Sequence, residues 1–94
     1  MKISIIWILS DNKKENGRTL KNLREELSAC AVKNELFVCR AEAGTAKPDL
    51  NGLNADVHFC PSDGKSTVEI YRDCAELVSG DYVTMLFGGD IWSK

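Results

Sequence analysis

Apolar positions fall in four short runs, each separated from the next by an amphipathic or polar stretch. Residues 3–9 (ISIIWIL) are continuously apolar and mostly β-branched, which predicts a strand covered on both faces, as in a parallel sheet. A polar turn is expected from Ser10 to Gly17. Between Thr19 and Val32, the residues Leu20, Leu23, Leu27 and Ala31 recur at helical spacing, with Lys21, Asn22, Arg24, Glu25 and Glu26 opposite. Thr19 or Asn16 can cap the start of that helix. Residues 35–40 (ELFVCR) form a second short strand. From Ala41 to Asn54 the pattern dissolves into loop and turns around Gly44, Pro48 and Gly52, with room for one helical turn near Asp49 to Leu53.

Ala55 to Cys60 (ADVHFC) predicts a third strand, closed by Pro61. Ser66 to Ser79 predicts a second helix, with Ile70, Cys74, Leu77 and Val78 as its buried stripe. Gly80 stands where a left-handed C-cap belongs. Asp81 to Phe87 (DYVTMLF) predicts a fourth strand. The order β-α-β-(turn)-β-α-β implies parallel strand pairs, right-handed crossovers and helices on both faces of one small sheet. With 94 residues the chain is a single α/β domain.

Composition narrows the function classes. A formal net charge of −2, with Lys and Arg interspersed among acids, offers no basic surface for nucleic acid or anionic membrane. The first apolar run is too short to span a bilayer and lacks the cleavage site of a signal peptide, so a cytoplasmic protein without membrane insertion is expected. Cys30, Cys39, Cys60 and Cys74 each lie in an apolar run with no Cys-x-x-Cys spacing, and are read as free buried thiols. Cys39 and Cys60 end two strands expected to be neighbours; with His58 they could form part of a metal site, although a fourth ligand is lacking. The alternative for His58 is a hydrogen-bonded structural role.

Residues 63–67 (DGKST) have the Gly-Lys-Ser ending of a phosphate loop, but Phe59 stands where its upstream Gly belongs. The helix start there can still attract an anion. Gly88-Gly89-Asp90 reads as a turn rather than a phosphate cradle. Trp7 and Trp92 are read as core or interface anchors.

Several strings nevertheless resemble the nucleotide-binding, N-terminal half of family 2 glycosyltransferases of the inverting GT-A type. They are KISIIWILSDN (2–12), TLKNLREEL (19–27), ELFVCR (35–40), YRDCAELVSGDYVTML (71–86) and FGGDIW (87–92). The resemblance implies a Rossmann-like sheet with strand order 3-2-1-4. It also implies nucleotide-sugar contacts at Arg72 and Asp90, and Mg²⁺ or Mn²⁺ at Asp90 if the ancestral site survives. The family's second-strand Asp pair falls on Arg40 and Ala41, and its Asp-x-Asp falls on Phe87 and Gly89. A divalent cation on a diphosphate needs hard oxygen ligands, which Phe87 and Gly89 do not supply.

A glycosyltransferase-like domain that is not catalytic by itself is therefore expected, with no cofactor. Two alternatives stand beside it. One is a homodimer or interaction module using the exposed fourth-strand edge through Tyr82, Thr84, Leu86 and Trp92. The other is the N-terminal part of an active enzyme completed by further chain.

Overall fold

Strand β1 (Lys2–Ile8) leads into helix α1 (Lys13–Ser28), then strands β2 (Lys33–Arg40) and β3 (Asp56–Pro61), helix α2 (Thr67–Ala75) and strand β4 (Tyr82–Phe87). These elements come from a computed structural model that describes residues 2–29, 33–41, 45 and 47–91. The four strands form one all-parallel sheet in the order β3-β2-β1-β4, as expected. Among the described residues, no helix is long and apolar enough to cross a membrane.

One helix covers each face of the sheet. Leu23 and Leu27 of α1 pack with Ile5, Trp7, Leu36, Val38 and Leu86. Ile70 and Cys74 of α2 pack on the opposite face, with Ile6, Ile8, Phe37 and Cys39. Strand periodicity sends alternate β1 residues into the two clusters, which explains why the run is continuously apolar from Ile5 to Leu9. Each fully buried side chain of this size contributes about 1.5–3 kcal/mol relative to exposure.

Both helices differ from their expected limits. α1 begins at Lys13, two turns earlier than its apolar stripe indicates, because Asn12 is the N-cap and its side chain accepts from the Lys14 and Glu15 amides. Those two turns are anchored by buried polar groups instead. The Asn16 side-chain amide donates to the Ser10 carbonyl and its Oδ1 accepts from the Ser10 N–H, at 2.7 and 2.8 Å. Thr19, read as a possible cap, lies mid-helix and is fully buried. α2 ends at Ala75 rather than Ser79, so Leu77 leaves the stripe and is 61 % exposed.

Gly80 is required for a different reason than C-capping. Its φ is not positive, whereas Gly52, Gly64 and Gly88 have positive φ. A Cβ at Gly80 would instead fall on Ser4 Oγ and within 2.8 Å of the Ser4 backbone nitrogen. The close approach builds a buried polar junction at the amino ends of the strands. The Glu35 carboxylate accepts from Ser4 Oγ, from the Ser79 N–H at 2.6 Å and from Ser79 Oγ at 3.2 Å. Lys2 Nζ lies 3.6 Å from Glu35, and the Gly80 N–H donates to Ser4 Oγ at 2.9 Å. β1, β2 and the segment entering β4 thus meet at one carboxylate.

Residues 49–54 pack against the α1 side of the domain. Arg24 donates to the carbonyls of Asp49 and Asn51, and Asn54 donates to the Leu27 carbonyl. Leu50 and Leu53 then close the edge of the α1-side core.

Burial alone would raise the Glu35 pKa, but the hydrogen bonds from Ser4 and Ser79, with the Lys2 charge, outweigh it and hold the carboxyl below its ordinary 4.5. The folded state therefore binds fewer protons than the unfolded chain just below that value. The stabilisation is complete above about pH 4.5 and fades as pH falls through the depressed folded value. Glu35→Gln should lower stability at pH 7 by about 2–3 kcal/mol and weaken this part of the acid dependence, read by urea unfolding from pH 3 to pH 7. Gly80→Ala should cost about 1–3 kcal/mol in the same assay.

Candidate functional site

The strand order places a topological switch between β1 and β4. From β1 the chain passes outward through β2 and β3, then crosses back to lay β4 on the other side of β1. The loop leaving β1 runs to α1 on one face of the sheet and the loop entering α2 runs to the other face, and α/β ligands bind in the crevice between such diverging loops. A crevice of about 590 Å³ lies there, lined by Leu9, Ser10 and Asp11 after β1, Ala41 after β2, Gly64 to Thr67 before α2, and Phe87 at the end of β4. A second pocket of about 350 Å³ lies between the start of α1 and the Thr45, Lys47, Pro48 and Asp49 segment.

Charged groups around the first crevice are largely committed to neighbours. Arg40, on the position where the resemblance would set an Asp, makes a two-point contact with Asp63 at 2.9 and 3.0 Å. Hydrogen bonding to Asp63 raises the Arg40 pKa further. The Ser62 and Gly64 amides donate to the Arg40 and Ala41 carbonyls, at 2.8 and 2.9 Å, so the β3–α2 loop is bound to the end of β2. Lys65 pairs with Asp73 at 2.6 Å, which raises the pKa of the lysine and lowers that of the aspartate.

The start of α2 is also internally satisfied. Ser66 and Glu69 form a capping box: Ser66 Oγ accepts from the Glu69 N–H and the Glu69 carboxylate accepts from the Ser66 N–H, both at 3.2 Å. Hydrogen bonding at Ser66 holds the Glu69 pKa below its ordinary value. Its negative charge occupies the position that would otherwise favour an incoming anion.

Gly88 and Gly89 form the expected turn, which is docked on α1. Gly88 has φ 59° and its N–H donates to the Ile8 carbonyl at 2.8 Å. Its carbonyl accepts from Trp7 Nε1 and from Thr19 Oγ1, each at 3.0 Å. Arg18 donates twice to the Gly89 carbonyl, and Thr19 Oγ1 also reaches the Asp90 carbonyl at 2.6 Å. A Cβ on Gly89 would lie 2.8 Å from the Arg18 guanidinium. Trp7, buried completely, is thus both a core residue and a tie for this turn.

Asp90 Oδ2 accepts from the Phe87 N–H at 2.9 Å, closing the turn from below. Arg72 sits on the exposed side of the last turn of α2, in the electrostatic neighbourhood of Glu69 and Asp73. No hydrogen bond or ion pair joins Arg72 to Asp90. With one carboxylate oxygen already engaged and Phe87 and Gly89 beside it, Asp90 does not make the hard-oxygen set that Mg²⁺ or Mn²⁺ on a diphosphate requires.

The residues expected at the β4 edge divide by strand parity. Leu86 is 5 % exposed and belongs to the α1-side core, so it is not a contact residue. Thr84 shares that face and is half-buried, while Tyr82 at the strand's start is exposed. The opposite face of β4 carries Val83, Met85 and Phe87, all exposed, because α2 lies over β1 and β2 and leaves this strip open. Trp92 lies outside the described residues.

His58 does not join a metal site; its ring stacks on Phe37 with centroids 4.9 Å apart. Cys39 and Cys60 are adjacent across β2 and β3 and are joined by Cys74, which the sequence pattern indicated only as a core residue of the second helix. All three are free thiols; Cys30 lies outside the described residues.

Fold and crevice together define a small Rossmann-like α/β domain with an open carboxyl end. No family model, curated protein or solved structure matches the chain.

The docking of the turn on α1 is open to direct measurement. Thr19→Val preserves side-chain shape and removes the single hydroxyl donor shared by the Gly88 and Asp90 carbonyls, of which Gly88 keeps Trp7 Nε1. A loss of about 1–2 kcal/mol in urea unfolding, with faster hydrogen exchange at the Gly88 and Asp90 amides, is the expected outcome.

Proposed function

We propose that this chain is a glycosyltransferase-like binding domain that does not transfer sugar by itself. The observation that carries the reading is the combination at the carboxyl end of the sheet. A crevice lies at the switch point, where such folds take nucleotides. Yet Arg40, Lys65 and Asp90 around it are held by Asp63, Asp73 and the Phe87 amide. A transfer reaction needs charge stabilisation on the leaving diphosphate, and these commitments leave little for it. A ligand there would rest on loop backbone, on the Ser10 and Thr67 hydroxyls and on the apolar floor of Leu9 and Phe87.

Titration with uridine diphosphate, followed by amide NMR, tests the reading. Shifts at Ser10, Asp11 and Gly64 to Thr67 are expected at millimolar ligand, unchanged by diamagnetic Mg²⁺. Unmoved amides at those positions would remove the binding claim. Turnover of a sugar nucleotide by this chain alone would remove the claim that it is not catalytic.

A second reading is favoured by the open strip of β4. Val83, Met85 and Phe87 are each between 44 and 51 % exposed, and the outer edge of β4 is unpaired within the sheet. An exposed apolar edge strand is a template for pairing with another chain. Two copies meeting edge to edge about a two-fold axis would continue the sheet and set the two apolar strips side by side on one face. Sedimentation velocity should then show concentration-dependent dimerisation that Met85→Lys abolishes; a monodisperse monomer at high concentration would sink this reading.

A further inference from the structure

We propose that Cys39, Cys60 and Cys74 form a three-thiolate site for a soft, thiophilic metal ion such as zinc(II). Three elements that are distant in sequence bring them together. Parallel register sets Cys39 of β2 beside Cys60 of β3 on one face of the sheet. α2 packs across that face with Ile70 and Cys74, one helical turn apart, directed at the strands. The three sulfurs lie within 4.8 Å of one another, and Cys39 Sγ and Cys74 Sγ are 3.4 Å apart. Among the described residues, no other group of three or more His, Cys, Asp or Glu side chains converges in this way.

The spacing suits an ion. Zinc sits about 2.3 Å from thiolate sulfur, so tetrahedral angles separate its sulfur ligands by about 3.8 Å. Bringing Cys39 and Cys74 to that separation requires an opening of about 0.4 Å, within the reach of small χ1 adjustments. Donor chemistry selects the class of metal. Three sulfurs without a carboxylate favour zinc or another thiophilic ion over Mg²⁺, Ca²⁺ or Mn²⁺. Cys39 and Cys74 are buried, whereas Cys60 is half-buried and marks the side open to entry. The fourth coordination position would face that side and take water or an exogenous thiol. Loading forms three metal–sulfur bonds, breaks three S–H bonds and releases three protons to solvent. No change of oxidation state is involved.

The site is independent of the carboxyl-end crevice. It lies under α2 and uses none of the groups assigned to nucleotide binding, so either reading can fail without the other.

The experiment uses the full chain, reduced and stripped of metal, titrated with zinc(II) against a chromogenic chelator and with cobalt(II) by visible absorption. One equivalent of zinc is expected, with intense sulfur-to-cobalt charge-transfer bands and tetrahedral d–d bands. Cys60→Ser, at the half-buried position, should retain the far- and near-ultraviolet circular dichroism of the wild type and weaken zinc binding more than about 100-fold. Cys74→Ser should do the same, and Cys30→Ser should retain full stoichiometry and affinity. Cobalt spectra without thiolate bands would overturn the proposal. So would undiminished affinity in a folded Cys60→Ser protein, or loss of binding in Cys30→Ser alone. A reduced protein that takes up no zinc, and whose Cys39 and Cys74 instead cross-link in air, would overturn it as well.

Discussion

β1 is hydrogen-bonded along both edges and buried on both faces, and the rest of the domain is arranged by that double constraint. Its register with β2 and β4 aligns both neighbours, and its alternating side chains enter both cores: Ile5 and Trp7 on the α1 side, Ile6 and Ile8 on the α2 side. A change in this strand is felt by both layers at once. Its ends are bound as firmly as its middle. Ser4 joins it to Glu35 and Gly80, and Trp7 Nε1 joins it to the Gly88 turn. A buried carboxylate is stable in such a place only because each oxygen is supplied with donors and a cation stands near.

The two ends of the sheet use charge differently. At the amino end, charge is buried and structural. At the carboxyl end it is exposed and paired, in Arg40 with Asp63 and Lys65 with Asp73. Surface pairs of this kind contribute little stability, but here they orient the loop from Ser62 to Ser66 and occupy cations that could otherwise meet an anion. The capping box of α2 works in the same direction. The crevice is therefore well formed as a shape and poorly supplied with free charge, whereas the converging sulfurs beneath α2 supply donors of a different chemical type.

Strand positions and the covering of both faces were legible in the amino-acid sequence, because buried parallel strands must be continuously apolar. Harder to read was any feature whose anchor is polar. The first two turns of α1 carry no apolar residue; the Asn12 cap and the bonds of Asn16 to Ser10 and of Thr19 to the 88–90 turn explain why they are helical. The early end of α2 left Leu77 in solvent although it fits the helical period. Parity along β4 was legible, but which parity is covered was not, since that depends on where α2 crosses. Leu86 is consequently core, and Val83, Met85 and Phe87 form the open strip.

By itself, the sequence determined the class of fold, the four strands, the two helices and the poverty of hard metal ligands around Asp90. Those follow from local hydrophobic period and from residue chemistry at known positions, which need no partner to be recognised. The tertiary structure alone decided that Gly80 is a point of close approach rather than a helix cap, that Glu35 is the buried junction of three segments, and that three cysteines separated by 21 and 14 residues bring their sulfurs within 4.8 Å of one another. Each of these is a long-range contact, set by register and helix crossing, and neither quantity is written in the period of any single element.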